Sequence, residues 1–257
     1  MQVVIFAGGL GTRLSEKTKD VPKPMVEIGN IPILEHIMEI YASQGHTDFI
    51  IACGYKQNII KRYFQDQFFL GSNAIFDFST KTASNQITSK YSNWKISLID
   101  TGLHTQTGSR LKLLEPYLDD EFFLTYGDGL GNVNLSSLLT QHQSTDAEIT
   151  ITTVNPESRY GSLSVNGTAV TDFVEKPKFN TAIVNAGYMT VNKRFLRHID
   201  PNDPSIPLEG EPFKQAVLAK KMHAYHHNGF WHPMDTLRDN ITLNDIFDTG
   251  QKPWLNL

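Results

Sequence analysis

Val3-Val4-Ile5-Phe6-Ala7-Gly8-Gly9-Leu10-Gly11-Thr12-Arg13-Leu14, with Pro22-Lys23-Pro24-Met25 a few residues on, is the stretch that decides the fold. The run Val3 to Ala7 is continuously apolar. Bounded by glycine, a run of that length reads as a strand buried on both faces, as in a parallel sheet. Gly8, Gly9 and Gly11 then break it. Glycine admits left-handed backbone, so successive N–H groups can turn toward one centre and cradle an anion, and the loop reads as a phosphate cradle. It is neither of two better-known phosphate loops. G-x-x-x-x-G-K-[ST] is absent. G-x-G-x-x-G requires another glycine spacing and an acidic residue at a strand end about twenty positions on, whereas Asp20 stands in the loop sequence Lys19-Asp20-Val21-Pro22.

Working outward, Ile33, Leu34, Ile37, Met38 and Tyr41 recur at helical spacing and Gly45 closes the segment. Phe49 to Cys53 reads as a second strand, residues 58–69 as a helix stopped by Gly71, and Ile96 to Asp100 and Phe122 to Tyr126 as further strands with Leu111 to Leu114 helical between them. Strands alternating with helices predict βαβ units and a mostly parallel, doubly wound α/β sheet, which binds ligands beyond the carboxyl ends of its strands. Residues 72–97 are rich in Ser, Thr and Asn and read as an excursion, either a hairpin or a surface loop. From Ile149 on, strands follow strands: residues 149–154, 161–165 and 170–174.

A chain of 257 residues that is 40% hydrophobic and 19% charged can bury a sizeable core as one domain. With no run of eighteen apolar residues and no basic region ahead of the short N-terminal apolar stretch, neither a membrane span nor a secretory signal is expected. The net charge of −4 lacks the basic stripe of a nucleic-acid binder. The lone Cys53 lies in an apolar run and reads as packing, and a cytoplasmic setting is expected. The histidines 223, 226, 227 and 232 match no common zinc spacing.

Two carboxylates stand where chemistry is expected. Asp128 follows an apolar strand within Tyr126-Gly127-Asp128-Gly129, and Asp235 lies in Trp231-His232-Pro233-Met234-Asp235-Thr236. Magnesium takes one or two carboxylates plus phosphate oxygens and water, so the pair suits it, although each aspartate taken singly reads more readily as a turn residue. Glu175-Lys176-Pro177 follows a strand; lysine there can meet a phosphate and glutamate a sugar hydroxyl, and a solvated pair is the plainer alternative. Gly108, in Thr107-Gly108-Ser109-Arg110, would let a flat base lie against the backbone, or is a plain helix cap.

The glycine loop A-G-G-x-G-T-R-L, the P-K-P-M cluster, G-D-G, E-K-P and W-x-P-M-D-T together resemble the nucleoside-diphosphate-sugar pyrophosphorylases over nearly the whole chain. The resemblance implies a nucleotide-diphospho-sugar transferase fold, with a nucleotide-binding half at about residues 1–130 and a sugar-phosphate half at about 131–257 on the same sheet. It implies magnesium held by Asp128 and Asp235, catalytic Arg13 and Lys23 on the triphosphate, and a nucleotide site of Ala7, Gly8, Gly9, Gly11, Thr12, Arg13, Lys23, Gly108, Arg110 and Asp128. Tyr126, Gly161, Glu175, Lys176 and Asn185 would bind the sugar phosphate. Resemblance is greatest to the cytidylyl-transferring members. They make CDP-glucose and pyrophosphate from CTP and α-D-glucose 1-phosphate, feed dideoxysugar and lipopolysaccharide synthesis, and assemble as homo-oligomers. Arg110 is then expected to donate to cytosine O2 and N3. Asn132, Ala186 and Leu208 depart from the family pattern, where aspartate, glycine and tryptophan are expected.

Overall fold

The computed structural model describes every residue except 71–72, 87–90, 157–161 and 175–182, with residues 13, 15–16, 70, 73–74, 83–86 and 162 described by backbone alone. Its frame is a seven-stranded sheet. In chain order the strands are β1 (Gln2–Ala7), β2 (Asp48–Cys53), β3 (Lys95–Asp100), β4 (Glu121–Tyr126), β5 (Ile149–Val154), β6 (Val184–Asn192) and β7 (Met222–His226). In space they run β7-β5-β6-β4-β1-β2-β3. The sheet is parallel apart from β6, which pairs antiparallel with both β4 and β5.

β1 is central because its sequence has no polar face to show. Val3, Ile5 and Ala7 point into one core, against Leu34, Ile37, Met38 and Tyr41 of helix α1 (Ile33–Ala42). Val4 and Phe6 point into a second core, with Leu111, Leu114, Phe195 and Leu196. Alternate residues of one strand thus feed two cores, as the two-residue period of a strand requires. Helix α2 (Gln57–Leu70) links β2 toward β3, and α3 (Thr107–Leu113) precedes β4. Then follow α4 (Leu135–Gln143), α5 (Glu211–Leu218) and α6 (Leu237–Asp248). The second half of the chain supplies β5, β6 and β7 to the same sheet, with β6 lying directly beside β4. Among the described residues no helix is long and apolar enough to cross a membrane.

Residues 72–97 carry a hairpin, Asn73–Asp77 paired with Thr82–Gln86. A second hairpin joins Ser162–Asn166 to Ala169–Val174. The smallest ribbon matters most for the site: Gly129–Gly131 pairs antiparallel with Trp231–Pro233, and the Met234 amide donates to the Asp128 carbonyl at 2.7 Å. That register places Asp128 and Asp235 side by side, although 107 positions separate them.

β1 and β4 are neighbours at the point where the chain's path across the sheet reverses, since β2 and β3 extend to one side and β6, β5 and β7 to the other. Such a switch point opens a crevice beyond the carboxyl ends of the strands. The crevice needs Gly127, because a Cβ there would lie 2.6 Å from the Phe6 carbonyl oxygen and 3.1 Å from Pro24 Cγ. Backbone cannot yield as a side-chain tip can. Gly127→Ala is therefore expected to cost about 1–3 kcal/mol of stability, as overpacked positions do. Chemical denaturation checks this, and an unchanged midpoint would show that β1 and β4 separate freely.

Candidate active site

At the crevice, three chain segments meet on one cation. Lys23 Nζ donates to Asp128 Oδ2 at 2.7 Å and to Asp235 Oδ1 at 2.8 Å. The Lys23 side chain is 11% exposed, against 37% for Asp128 and 27% for Asp235, so the lysine is enclosed while the carboxylates face the opening. Burial works against the ammonium charge, but hydrogen bonds and charge from Asp128 and Asp235 outweigh it and raise its pKa. Lys23 stays protonated. Pro22 and Pro24 flank it, and the short 3-10 turn Lys23–Met25 that they start holds the base of its side chain rigid.

The glycine loop sits directly against this centre. Gly9, Leu10 and Thr12 are exposed beyond the carboxyl end of β1, where Ala7 ends the strand and Gly8 is buried. Gly11 adopts φ +65°, and a Cβ on it would lie 2.9 Å from Thr18 Cγ2 and 3.1 Å from Lys23 Cβ. Both demands, left-handed backbone and close approach, exclude a side chain. Arg13 is placed by its backbone in the turn Thr12–Leu14; its side chain lies outside the described residues.

Arg110 and Gly108, expected beside the base, both face the protein here. Arg110 is 3% exposed, and the terminal nitrogens of its guanidinium face the protein. Nη1 donates to Thr101 Oγ1 (2.6 Å), the Gly102 carbonyl (2.7 Å) and the Cys53 carbonyl (3.3 Å). Nη2 donates to the carbonyls of Gly8 (2.9 Å) and Leu103 (3.4 Å). The fork ties the loops after β1, β2 and β3 to one another and does not present a free edge to cytosine. Burial lowers its pKa, with Asp100 opposing. Gly108 is likewise covered, because a Cβ there would lie 2.9 Å from the Ile206 carbonyl oxygen and 3.3 Å from the Leu208 amide. The segment around Ile206 packs on the start of α3, with the Ser109 amide donating to Ile206 at 3.2 Å, so that surface is occupied by the chain itself.

On the opposite flank, Tyr126 ends β4 with its ring beneath Gly187, where a Cβ would lie 2.7 Å from Tyr126 Cδ2. Its hydroxyl donates to Glu209, and burial, then that carboxylate, hold the phenol well above its ordinary pKa. Asn185 is half-buried on β6 and accepts from the Gly187 amide at 2.9 Å. Gly161, Glu175 and Lys176 lie outside the described residues. Sequence reading missed Glu209, which also accepts from Thr107 Oγ1 at 3.2 Å and bridges β4 to α3. Nothing local marks it. It also missed Asp239, whose carboxylate accepts from the Asp235 amide (3.0 Å) and the Thr236 amide (2.8 Å) in a capping box on α6. There the T-x-x-D spacing was a usable signal.

A family model described as nucleotidyl transferase matches residues 2–244. The chain belongs to the nucleotidyl transferase family. Glucose-1-phosphate cytidylyltransferase of Salmonella typhimurium is 42% identical to it over 259 residues, 99% of this chain and 98% of that one. A protein named probable glucose-1-phosphate cytidylyltransferase, from Bacillus subtilis, is 37% identical over 255 residues, 99% of each. Among solved structures, HddC of Yersinia pseudotuberculosis superimposes with a TM-score of 0.68 at 25% identity, covering 96% of this chain and 99% of that one. UDP-glucose pyrophosphorylase complexed with UDP-glucose matches at 0.68 and 15% identity over 97% and 99%, a likeness of fold.

For a nucleotidyltransferase the centre must handle several phosphate charges. Two carboxylates already converge on one cation, the Lys23 ammonium, and their oxygens are hard ligands. Among the described residues no group of three His, Cys, Asp or Glu could hold a metal. The pair therefore fits magnesium, which completes its shell with phosphate oxygens and water, and does not form a protein cage. Arg110→Met should lose about 3 kcal/mol or more of stability, since it strands several buried acceptors, and Arg110→Lys, lacking the fork, should recover little. Unaltered denaturation midpoints with an altered base preference would return Arg110 to a direct reading role.

Proposed function

We propose that this nucleotidyltransferase makes CDP-glucose and pyrophosphate from CTP and α-D-glucose 1-phosphate, with magnesium on Asp128 and Asp235. The observation that carries the reading is the meeting of Lys23 with both carboxylates beside the Gly11 loop at the sheet's switch point. The choice of base and sugar rests on likeness to the two cytidylyltransferases over nearly the full length of each chain. A cytoplasmic homo-oligomer supplying CDP-glucose to dideoxysugar and lipopolysaccharide synthesis is the setting in keeping with this reading.

The chemistry asks little of the protein beyond placement. A sugar phosphate has a second pKa near about 6 and is already a nucleophile at neutral pH. No general base is required, and what remains is in-line positioning and neutralisation of charge. Amides of the Gly8 to Gly11 loop cradle the triphosphate, Arg13 and Lys23 supply cationic charge to it, and Lys176 receives the attacking phosphate. Magnesium, held by Asp128 and Asp235, would supply Lewis-acid neutralisation of phosphate charge. Tyr126 and Asn185, at the β4 and β6 ends, position the sugar. Arg110 acts through the peptide groups of Gly8, Gly102 and Leu103, which it holds in place beside the base. Cytosine offers an N4 donor and N3 acceptor where uracil offers the reverse, so fixed peptide groups can tell them apart.

Pyrophosphate release, measured across CTP, UTP, dTTP and GTP with glucose 1-phosphate and mannose 1-phosphate, tests the reading. CTP with glucose 1-phosphate should exceed every other pair in kcat/KM by about 100-fold or more. Equal use of UTP would remove the cytidylyl assignment and leave nucleotidyl transfer standing.

A further inference from the structure

The position of Lys23 carries a consequence for the site before substrate arrives. Its ammonium bridges both carboxylates at 2.7 and 2.8 Å and so engages the groups that a divalent cation shared by Asp128 and Asp235 would use. We propose that Lys23 also serves as the resident cation of the free enzyme, neutralising Asp128 and Asp235 until a divalent cation takes over both carboxylates and frees the ammonium for the triphosphate. The proposal rests on the functional reading above.

Three features support an exchange of partners in place of a permanent ion pair. Backbone fixes the two aspartates independently of Lys23. Asp128 is held by the Gly129–Gly131 ribbon and the Met234 amide, and Asp235 through its amide by Asp239. The ammonium is therefore needed to balance charge more than to build the loops. The lysine is rigid only at its base, between Pro22 and Pro24, and carries a flexible four-carbon stem. Finally, Lys23 Cβ lies against Gly11, so the stem starts beside the phosphate loop and a four-carbon side chain has that loop within its reach.

A divalent cation and the ammonium drawn to the same two carboxylates repel each other, so the two compete. The expected coupling falls in the range of about 5- to 150-fold typical of linked sites. Manganese, a paramagnetic probe for such a site, reads it directly in nucleotide-free protein. Titration followed by electron paramagnetic resonance of the free ion should show weak binding to the wild type and at least about tenfold tighter binding to both Lys23→Met and Lys23→Gln. The glutamine variant keeps a donor without charge and covers the case in which the methionine variant fails to fold. Manganese should also raise the melting temperature of the variants by more than that of the wild type. Equal, weaker or absent manganese binding in the folded variants would overturn the proposal. The two readings fail separately. Tighter manganese binding with no transfer from CTP by the wild type would sink the proposed function alone, and unchanged manganese binding with intact transfer would sink this inference alone.

Discussion

The structure depends on one electrostatic constraint, that the carboxylates of Asp128 and Asp235 stand together without an uncompensated charge. Two like charges about 4 Å apart repel by about 4 kcal/mol at an effective dielectric near 20. A fold that brings them together must supply a cation, and Lys23 is that cation here. Its sequence neighbours follow from the task. Prolines set the turn, and Gly11 and Gly127 remove the side chains that would keep the Lys23 turn away from the loop and from β1.

The sheet delivers these groups to one place. Gly8 to Gly11 and Asp128 leave the carboxyl ends of the adjacent strands β1 and β4, while the Trp231–Pro233 ribbon brings Asp235 back from the far end of the chain. Arg110 secures the adjoining loops from below by spreading its fork over carbonyls from Gly8, Cys53, Gly102 and Leu103. A buried guanidinium with each terminal nitrogen engaged is a support for the site.

How much was legible in the sequence follows from range. Strands β1 to β5 are short apolar runs bounded by Gly, Pro or polar residues, and α1 carries a clean helical repeat, so local pattern located them. β6 and β7 were not legible. β6 mixes Asn185, Gly187 and Thr190 into its run and is shaped by its neighbours on both sides, and β7 reads Met222-His223-Ala224-Tyr225-His226, with too little apolar character to stand out. Helices α4, α5 and α6 bury narrow apolar stripes in otherwise polar sequence. Within the site, the motifs singled out Lys23, Asp128 and Asp235 for separate partners, the triphosphate and magnesium, and gave no sign that the ammonium would meet both carboxylates, because that contact depends on a ribbon pairing distant segments. The contacts of Arg110 were not legible for a related reason. A motif carries residue identity, and whether a guanidinium points at a ligand or at carbonyls depends on loops that no local pattern specifies.

Lys23 and the two carboxylates are expected to act as one unit. A double-mutant cycle on Lys23→Met and Asp235→Asn, read as kcat/KM for pyrophosphate release from CTP with glucose 1-phosphate, tests it most directly. Groups that act together lose their function once, so the double variant is predicted to be little worse than the poorer single variant, with a coupling of about 2 kcal/mol or more. Losses that simply add would mean that Lys23 and Asp235 serve separate steps and would contradict the account.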